Sequence, residues 1–361
     1  DIVFGDWSSD VCSSDLTTTF GIRQIEWHRD FGLLLNGRTT KLRGVCLHTD
    51  CGMTGSAVPE RVWGRRLEIL KSMGCNALRI AHHPAASELL DLCDRLGFLV
   101  IEEAFDKWDL GFAEGVEHPN FAEDWKRDLS AMLDRDRNHP SIVAWSAGNE
   151  AGMPGTAEHD ARLEELAAYI REQEPTRAVT CAFIGNIEGT IEDNVGAMLQ
   201  AGRSLDFYSL NYLERYFGLL RQTDASALVV ASESYPFFRS VFGGVEPYNS
   251  WYEAAQNAWV AGAFVWTGFD YLGESAGWPS RGWPNGLIDS CGFPKPQSDF
   301  FRSVWSPAPV VGLSVIDPDA DADPGLDYWR SPRAVAHWNL LPGAIYAVQA
   351  VSNTDSVELI V

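Results

Sequence analysis

The chain is short of positive charge. Lys and Arg number 28 against 50 Asp and Glu, a formal net charge of −22 over 361 residues. A surface that acidic repels phosphate backbones and anionic headgroups, which argues against a nucleic-acid binder and a membrane-docking protein. No apolar run reaches the roughly 18 residues that span a bilayer. The seven cysteines (Cys12, Cys46, Cys51, Cys75, Cys93, Cys181 and Cys291) include no Cys-x-x-Cys pair and are odd in number. Buried free thiols are therefore expected, not a zinc site or a disulfide framework. No Gly-rich phosphate turn follows the first apolar run, which leads into CLHTDCG; this counts against a dinucleotide-binding open sheet. No secretory leader is visible. The site of action stays open, because residues 1–16 (DIVFGDWSSDVCSSDL) resemble translated sequencing-adapter read-through and are set aside as non-native.

What remains has an ordinary globular balance, 45% hydrophobic and 22% charged. From about Asn36 short apolar runs alternate with amphipathic segments. The expected strands are Lys41–Cys46, Ala77–Ile80, Phe98–Glu102, Ile142–Ser146, Ala178–Cys181, Phe207–Leu210, Leu228–Ser232 and Gly262–Trp266. They are apolar at successive positions, as buried parallel strands are. Helical periodicity falls between them at Glu60–Met73, Glu88–Leu96, Phe121–Arg137, Ala157–Gln173 and Tyr252–Val260. Eight strand–helix units over about 270 residues are the arithmetic of an α/β (β/α)8 barrel.

The expected organisation is a barrel over 37–306. A remnant of a preceding sandwich domain or linker occupies 17–36. A Pro- and Asp-rich linker follows at 307–335, and the truncated start of a β-sandwich at 336–361. Within that start, Ala344–Ala350 and Val357–Val361 would pair around SNTD.

In such a barrel the residues at the carboxyl ends of the strands share one mouth. Those residues are His48 and Asp50; Arg79, His82 and His83; Glu102, Glu103 and Asp106; Asn149 and Glu150; Asn211 and Tyr212; Glu233; and Trp266. The sharpest pair is Glu150 and Glu233, each directly after a strongly apolar strand, on strands four and seven. Two carboxylates facing one bond are the minimum kit for glycoside hydrolysis, one protonated to help the leaving oxygen and one ionised to attack. Unrelated rim carboxylates in surface ion pairs are the plainer alternative. Likewise the 14 Trp, 18 Phe and 10 Tyr suit sugar rings as well as a large core.

At this point the residues resemble a known family. RNHPSIVAWSAGNEAG (Arg137–Gly152) is similar to the acid/base signature of glycoside hydrolase family 2, and ASES (Ala231–Ser234) to its nucleophile strand. RGVCLHTDCGMTG (Arg43–Gly55), NALRIAHHPAA (Asn76–Ala86), CDRLGFLVIEEAFDKW (Cys93–Trp108), GAFVWTGFDYLGE (Gly262–Glu274) and CGFPK (Cys291–Lys295) follow in the family's order. The resemblance covers residues 17–361. It implies Glu150 as general acid/base, Glu233 as nucleophile, Asn149 at the sugar 2-hydroxyl, Tyr212 bonded to the nucleophile, and Arg79 beside it, its charge keeping Glu233 ionised. His48, His82 and Trp266 match the sugar subsite, and Asp50, Asp106 and Asp270 stand in matching motifs as candidate hydroxyl ligands. Some relatives bind Mg²⁺ through Glu-x-His after strand three. Lys107 and Asp109 align there, and a lysine cannot ligate a hard cation, so no metal and no other cofactor are expected.

Glucuronidases of the family hold the uronate with Asn-x-Lys beyond strand eight. Here Asn285 is followed by Gly286 and Leu287, and Lys295 stands ten residues on. The resemblance therefore implies a neutral β-galactoside as the partner, cleaved with retention. The alternatives are another β-glycosidase activity such as a glucuronidase, or a carbohydrate-binding scaffold. A homo-oligomer is allowed for the full-length protein.

Overall fold

A computed structural model describes residues 19–109, 120–186, 188–236, 240–241, 244–245, 251–273, 278, 281–316 and 334–360. Eight strands close into an all-parallel barrel: β1 (Leu42–Leu47), β2 (Ala77–Ile80), β3 (Leu99–Glu103), β4 (Ile142–Asn149), β5 (Ala178–Phe183), β6 (Tyr208–Asn211), β7 (Val229–Ser234) and β8 (Val260–Val265). Each pairs with its neighbours in the chain, and β8 returns to β1 in the register Gly262 to Leu42 through Val265 to Val45. The eight expected strands are these eight. The helices between and after them are α1 (Glu60–Ser72), α2 (Ser87–Leu96), α3 (Phe121–Asp136), α4 (Ala157–Gln173), α5 (Ile191–Ala201), α6 (Phe217–Thr223), α7 (Tyr252–Gln256) and α8 (Pro296–Trp305). The expected Tyr252–Val260 helix is cut short because Val260 already belongs to β8. No periodicity announces α5, where Asn194 and Gly196 weaken intrinsic helicity. Its start is instead fixed by a capping box between Thr190 and Asp193.

Alternation along each strand divides the interior in two. In β3, Leu99 and Ile101 face the barrel lumen with Leu42, Cys46, Ala77, Val143, Val230 and Phe264. Val100 faces the helical layer with Val45, Leu78, Leu67, Leu89 and Leu129. Gly44 makes room for the lumen-filling Phe264, whose ring would lie 2.3 Å from any Cβ there.

Residues 17–36 do more than link. Strands Ile25–His28, Gly32–Leu35 and Arg38–Thr40 form an antiparallel sheet, so the expected boundary at 36–37 falls inside a hairpin. This sheet closes the amino-terminal end of the barrel. Trp27 stacks on Phe207 at 4.0 Å and donates to the Val143 carbonyl at 3.3 Å, while Arg23 donates to the Ile142 carbonyl at 2.6 Å. Leu33 is fully buried in the lumen cluster.

The expected linker 307–335 also holds a strand. Val311–Ile316 pairs antiparallel with Ala347–Ser352 over six residues, and with Ala334–Val335. The expected hairpin to Val357–Val361 is therefore not the pairing seen. Asn353 fixes the turn after Ser352 elsewhere: its side chain accepts from the Val310 amide at 2.7 Å and donates to the Ala308 carbonyl at 2.9 Å. Among the described residues, no helix is long and apolar enough to cross a membrane.

Candidate active site

Arg79, on β2, is the hub of the barrel mouth. Its guanidinium is 1% exposed and points up the lumen. Nη1 donates to Glu233 Oε1 at 2.8 Å, and Nη2 to Glu103 Oε2 and to Asn149 Oδ1, both at 2.8 Å. Burial disfavours the cation, but Glu103 foremost, with Glu233, holds it far above the usual range. One planar, always-charged fork thus ties the ends of β2, β3, β4 and β7 together.

The two candidate catalytic glutamates belong to one network. Asn211, at the end of β6, donates to Asn149 Oδ1 and to Glu150 Oε1, each at 2.9 Å, and accepts from Ser232 Oγ at 2.7 Å. Glu150 and Tyr212, the residues just past β4 and β6, have φ of 47° and 56°. Side chains rarely adopt that left-handed region, and it costs roughly 1–3 kcal/mol each. The neighbouring strands hold both turns: the Glu150 amide donates to the Ala182 carbonyl at 2.9 Å and the Tyr212 amide to the Glu233 carbonyl at 2.8 Å.

Burial pushes the Glu233 carboxyl up to about 8. The Glu150 charge adds to the rise, while the Arg79 ion pair and the Tyr212 hydrogen bond oppose it. The depth of the site thus works against the Arg79 pairing expected to keep Glu233 ionised. The same burial drives the Tyr212 phenol well upward and the His82 imidazole well down. A neutral His82 fits its contacts: Nδ1 lies 2.6 Å from Glu103 Oε1 as donor, leaving Nε2 to accept from Asn149 Nδ2 at 3.3 Å. Asn149 Nδ2 also donates to Asp106 Oδ1 at 3.1 Å. Its amide is engaged on all sides, so a sugar hydroxyl would have to displace one of these partners.

An aromatic wall adjoins the carboxylates. Trp266 stacks on His82 at 5.0 Å and meets the edge of His48 at 4.9 Å; His48 stacks on Tyr271 at 4.0 Å. His48 Nδ1 is buried and has no hydrogen-bond partner among the described residues. Asp50 and Asp270, the other two candidate hydroxyl ligands, also clasp loops. Asp50 accepts from the Gly52 amide at 2.9 Å and the Leu272 amide at 2.7 Å. Asp270 accepts from the Gly286 amide at 2.8 Å and pairs with Lys295 at 2.6 Å. No contact among the described residues joins either aspartate to the glutamate network.

Sequence reasoning left Glu103, Asn211 and Ser146 without roles, and missed Tyr271. Glu103 takes Arg79, His82 and a 2.7 Å hydrogen bond from Ser146 Oγ. Strand alternation carried the signal, since Glu103 has the lumen parity of Leu99 and Ile101. Lys107 Nζ stands 2.8 Å from Asp106 Oδ1 and 3.6 Å from Glu150 Oε2. A fixed cation between these carboxylates does not fit a magnesium site.

With this geometry in hand, comparisons become informative. The sequence model of the family described as "Glycosyl hydrolases family 2, TIM barrel domain" matches residues 28–217. The chain belongs to glycosyl hydrolase family 2. It is 30% identical to the beta-galactosidase BoGH2A of Bacteroides ovatus over 98% of this chain and 46% of that protein. It is equally identical, 30%, to a putative beta-glucuronidase of Formosa agariphila over 95% of this chain and 35% of that protein. A solved family 2 member from Bacteroides cellulosilyticus superimposes with a TM-score of 0.79 at 34% identity, covering 94% of this chain and 42% of that one. The chain thus spans less than half the length of each.

Proposed function

We propose that this chain carries the chemistry of a retaining glycosidase that cleaves terminal β-galactosides, with Glu233 as nucleophile and Glu150 as acid/base. The observation that carries the reading is the shared network. Arg79 binds Glu233 and Asn149, and Asn211 binds Asn149 and Glu150, so the two carboxyl groups are oriented as one unit. In the first step Glu150 gives its proton to the departing oxygen while a Glu233 oxygen bonds the anomeric carbon. In the second, Glu150 takes a proton from water, whose oxygen displaces Glu233 with net retention. Arg79 and Tyr212 hold the charge of Glu233 against burial, and positive charge developing on the sugar favours the ionised carboxylate further. Trp266, with His82 behind it, offers a flat face to the ring, and the orphan Nδ1 of His48 is a ready acceptor for a hydroxyl.

The preference for a neutral sugar rests on the absence of lysine beside Asn285 and on the pairing of Lys295 with Asp270, which occupies its charge. The glucuronidase name of the Formosa relative supports the second reading. Para-nitrophenyl β-galactoside, β-glucuronide and β-mannoside assayed side by side decide the sugar; turnover confined to the glucuronide overturns the galactoside assignment. A 2-deoxy-2-fluoro glycoside should trap an ester on Glu233, and proton NMR should show the β-anomer released first. A first-formed α-anomer, or a label on another residue, would sink the mechanism. An inactive binding scaffold predicts sugar binding with no turnover at all.

A further inference from the structure

Glu150 must act twice with opposite protonation, and its two oxygens are held differently. Oε1 accepts from Asn211 at 2.9 Å. Oε2 faces the Lys107 ammonium at 3.6 Å, and the same ammonium lies 3.2 Å from the Asn149 carbonyl and 2.8 Å from Asp106 Oδ1. The Lys107 side chain is only 10% exposed. Its nitrogen therefore grips three things together: the carboxylate of Glu150, the backbone carbonyl just before its left-handed turn, and a carboxylate that itself accepts from Asn149. We propose that Lys107 is a positioning residue for the second half of the reaction, its ammonium fixing the Glu150 carboxylate and holding it ionised so that it can take the proton of the attacking water. This inference rests on the acid/base reading of Glu150.

The other groups that face Glu150 weigh on the same equilibrium. Glu233 and Tyr212 approach from β7 and β6, and both interact electrostatically with it. Asn211 is neutral, and Asp106, 2.8 Å from the ammonium, opposes the lysine. In the glycosyl-enzyme Glu233 is an ester and carries no charge. Lys107, 3.6 Å away, then acts on Glu150 without the opposing charge of Glu233, so its effect is largest in the step where a base is needed.

The test uses a 2,4-dinitrophenyl β-glycoside of whichever sugar the enzyme hydrolyses. That leaving group departs without a proton, so kcat reports hydrolysis of the glycosyl-enzyme, and its acid limb reports Glu150. Lys107→Met should move this limb upward by about one pH unit, whereas Lys107→Arg should leave it within a few tenths. Asp106→Asn, which removes the countercharge at the ammonium, should move it downward. A Lys107→Met limb that stays in place, with or without a uniform fall in kcat, overturns the proposal. Should kcat of that variant be too small to profile, the Glu150 carboxyl is titrated by ¹³C NMR in the 2-fluoro-trapped enzyme, with the same shift expected. Glu150→Ala with azide separates the two readings. Rescue as a β-glycosyl azide upholds the acid/base role whatever Lys107 does, and failure of rescue overturns that role itself.

Discussion

The two ends of the barrel are made from the same eight strands and have opposite chemistry. At the amino-terminal end the strand starts meet a three-stranded antiparallel sheet, and Leu33, Leu42, Phe207 and Val230 fill the lumen. At the carboxyl-terminal end the lumen holds Arg79, Glu103, Asn149, Asn211 and Glu233, all at or below 4% exposure. The lower end satisfies itself by contact area, whereas the upper end needs each charge matched by a partner. Burying charge is costly and tolerates few arrangements, so the mouth is where sequence is constrained by chemistry. The floor is constrained only by volume and shape.

That contrast can be broken by substitution. Glu233→Gln should lower kcat on the order of 10⁴-fold, about 5.5 kcal/mol of barrier, while the protein stays folded by circular dichroism. Leu33→Ala should do the reverse: a loss of about 2–5 kcal/mol in denaturant unfolding with kcat unchanged. If Leu33→Ala instead cuts kcat, the two ends are not separable.

A third test sharpens the electrostatic side. A carboxyl near 8 in the folded chain and about 4.3 in the unfolded chain binds more protons when folded at every pH between them. Stability contributed by this group is therefore lost as pH rises through that window and stays level above it. Glu233→Gln removes the dependence. Its melting temperature relative to wild type should climb between pH 5 and pH 8, then plateau. A gap that stays constant with pH would mean that Arg79 and Tyr212 outweigh burial. The smallest effect is expected at a clasp: Asp50→Asn keeps an acceptor oxygen for only one of the Gly52 and Leu272 amides, which bond different carboxylate oxygens, and should cost about 1 kcal/mol. It should raise KM more than it lowers kcat.

Much of this is legible in the sequence. The eight strands announced themselves as continuous apolar runs, because both faces of each are buried. Glu150, Glu233, Arg79 and Tyr212 could be placed at strand ends by counting. What local sequence could not convey was depth. Arg79 beside Glu233 reads as a device to keep a carboxylate charged, and the burial of the whole network works against it. Nor could it convey that Asp50 and Asp270, read as candidate hydroxyl ligands, also accept amides from loops brought together by barrel closure. The strand Val311–Ile316 alternates correctly, and the surrounding Pro and Asp obscured it.

One adjacency in β3 has a bearing on how such a sequence can drift. Glu102 and Glu103 are consecutive and face opposite ways. Glu102 accepts from the Ala85 amide at 3.0 Å in the helical layer, and Glu103 holds Arg79 in the lumen. Insertion of one residue before them would still leave a glutamate beneath Arg79, whereas deletion would put Ala104 there. Either slip would turn Val100 inward and Ile101 outward, and the insertion would put Ile101 where the carboxyl of Glu102 is needed. The doublet therefore offers no refuge against a slip in register. Lineages that lengthen or shorten this protein should do so in its loops and spare β3, whatever sugar they come to cleave.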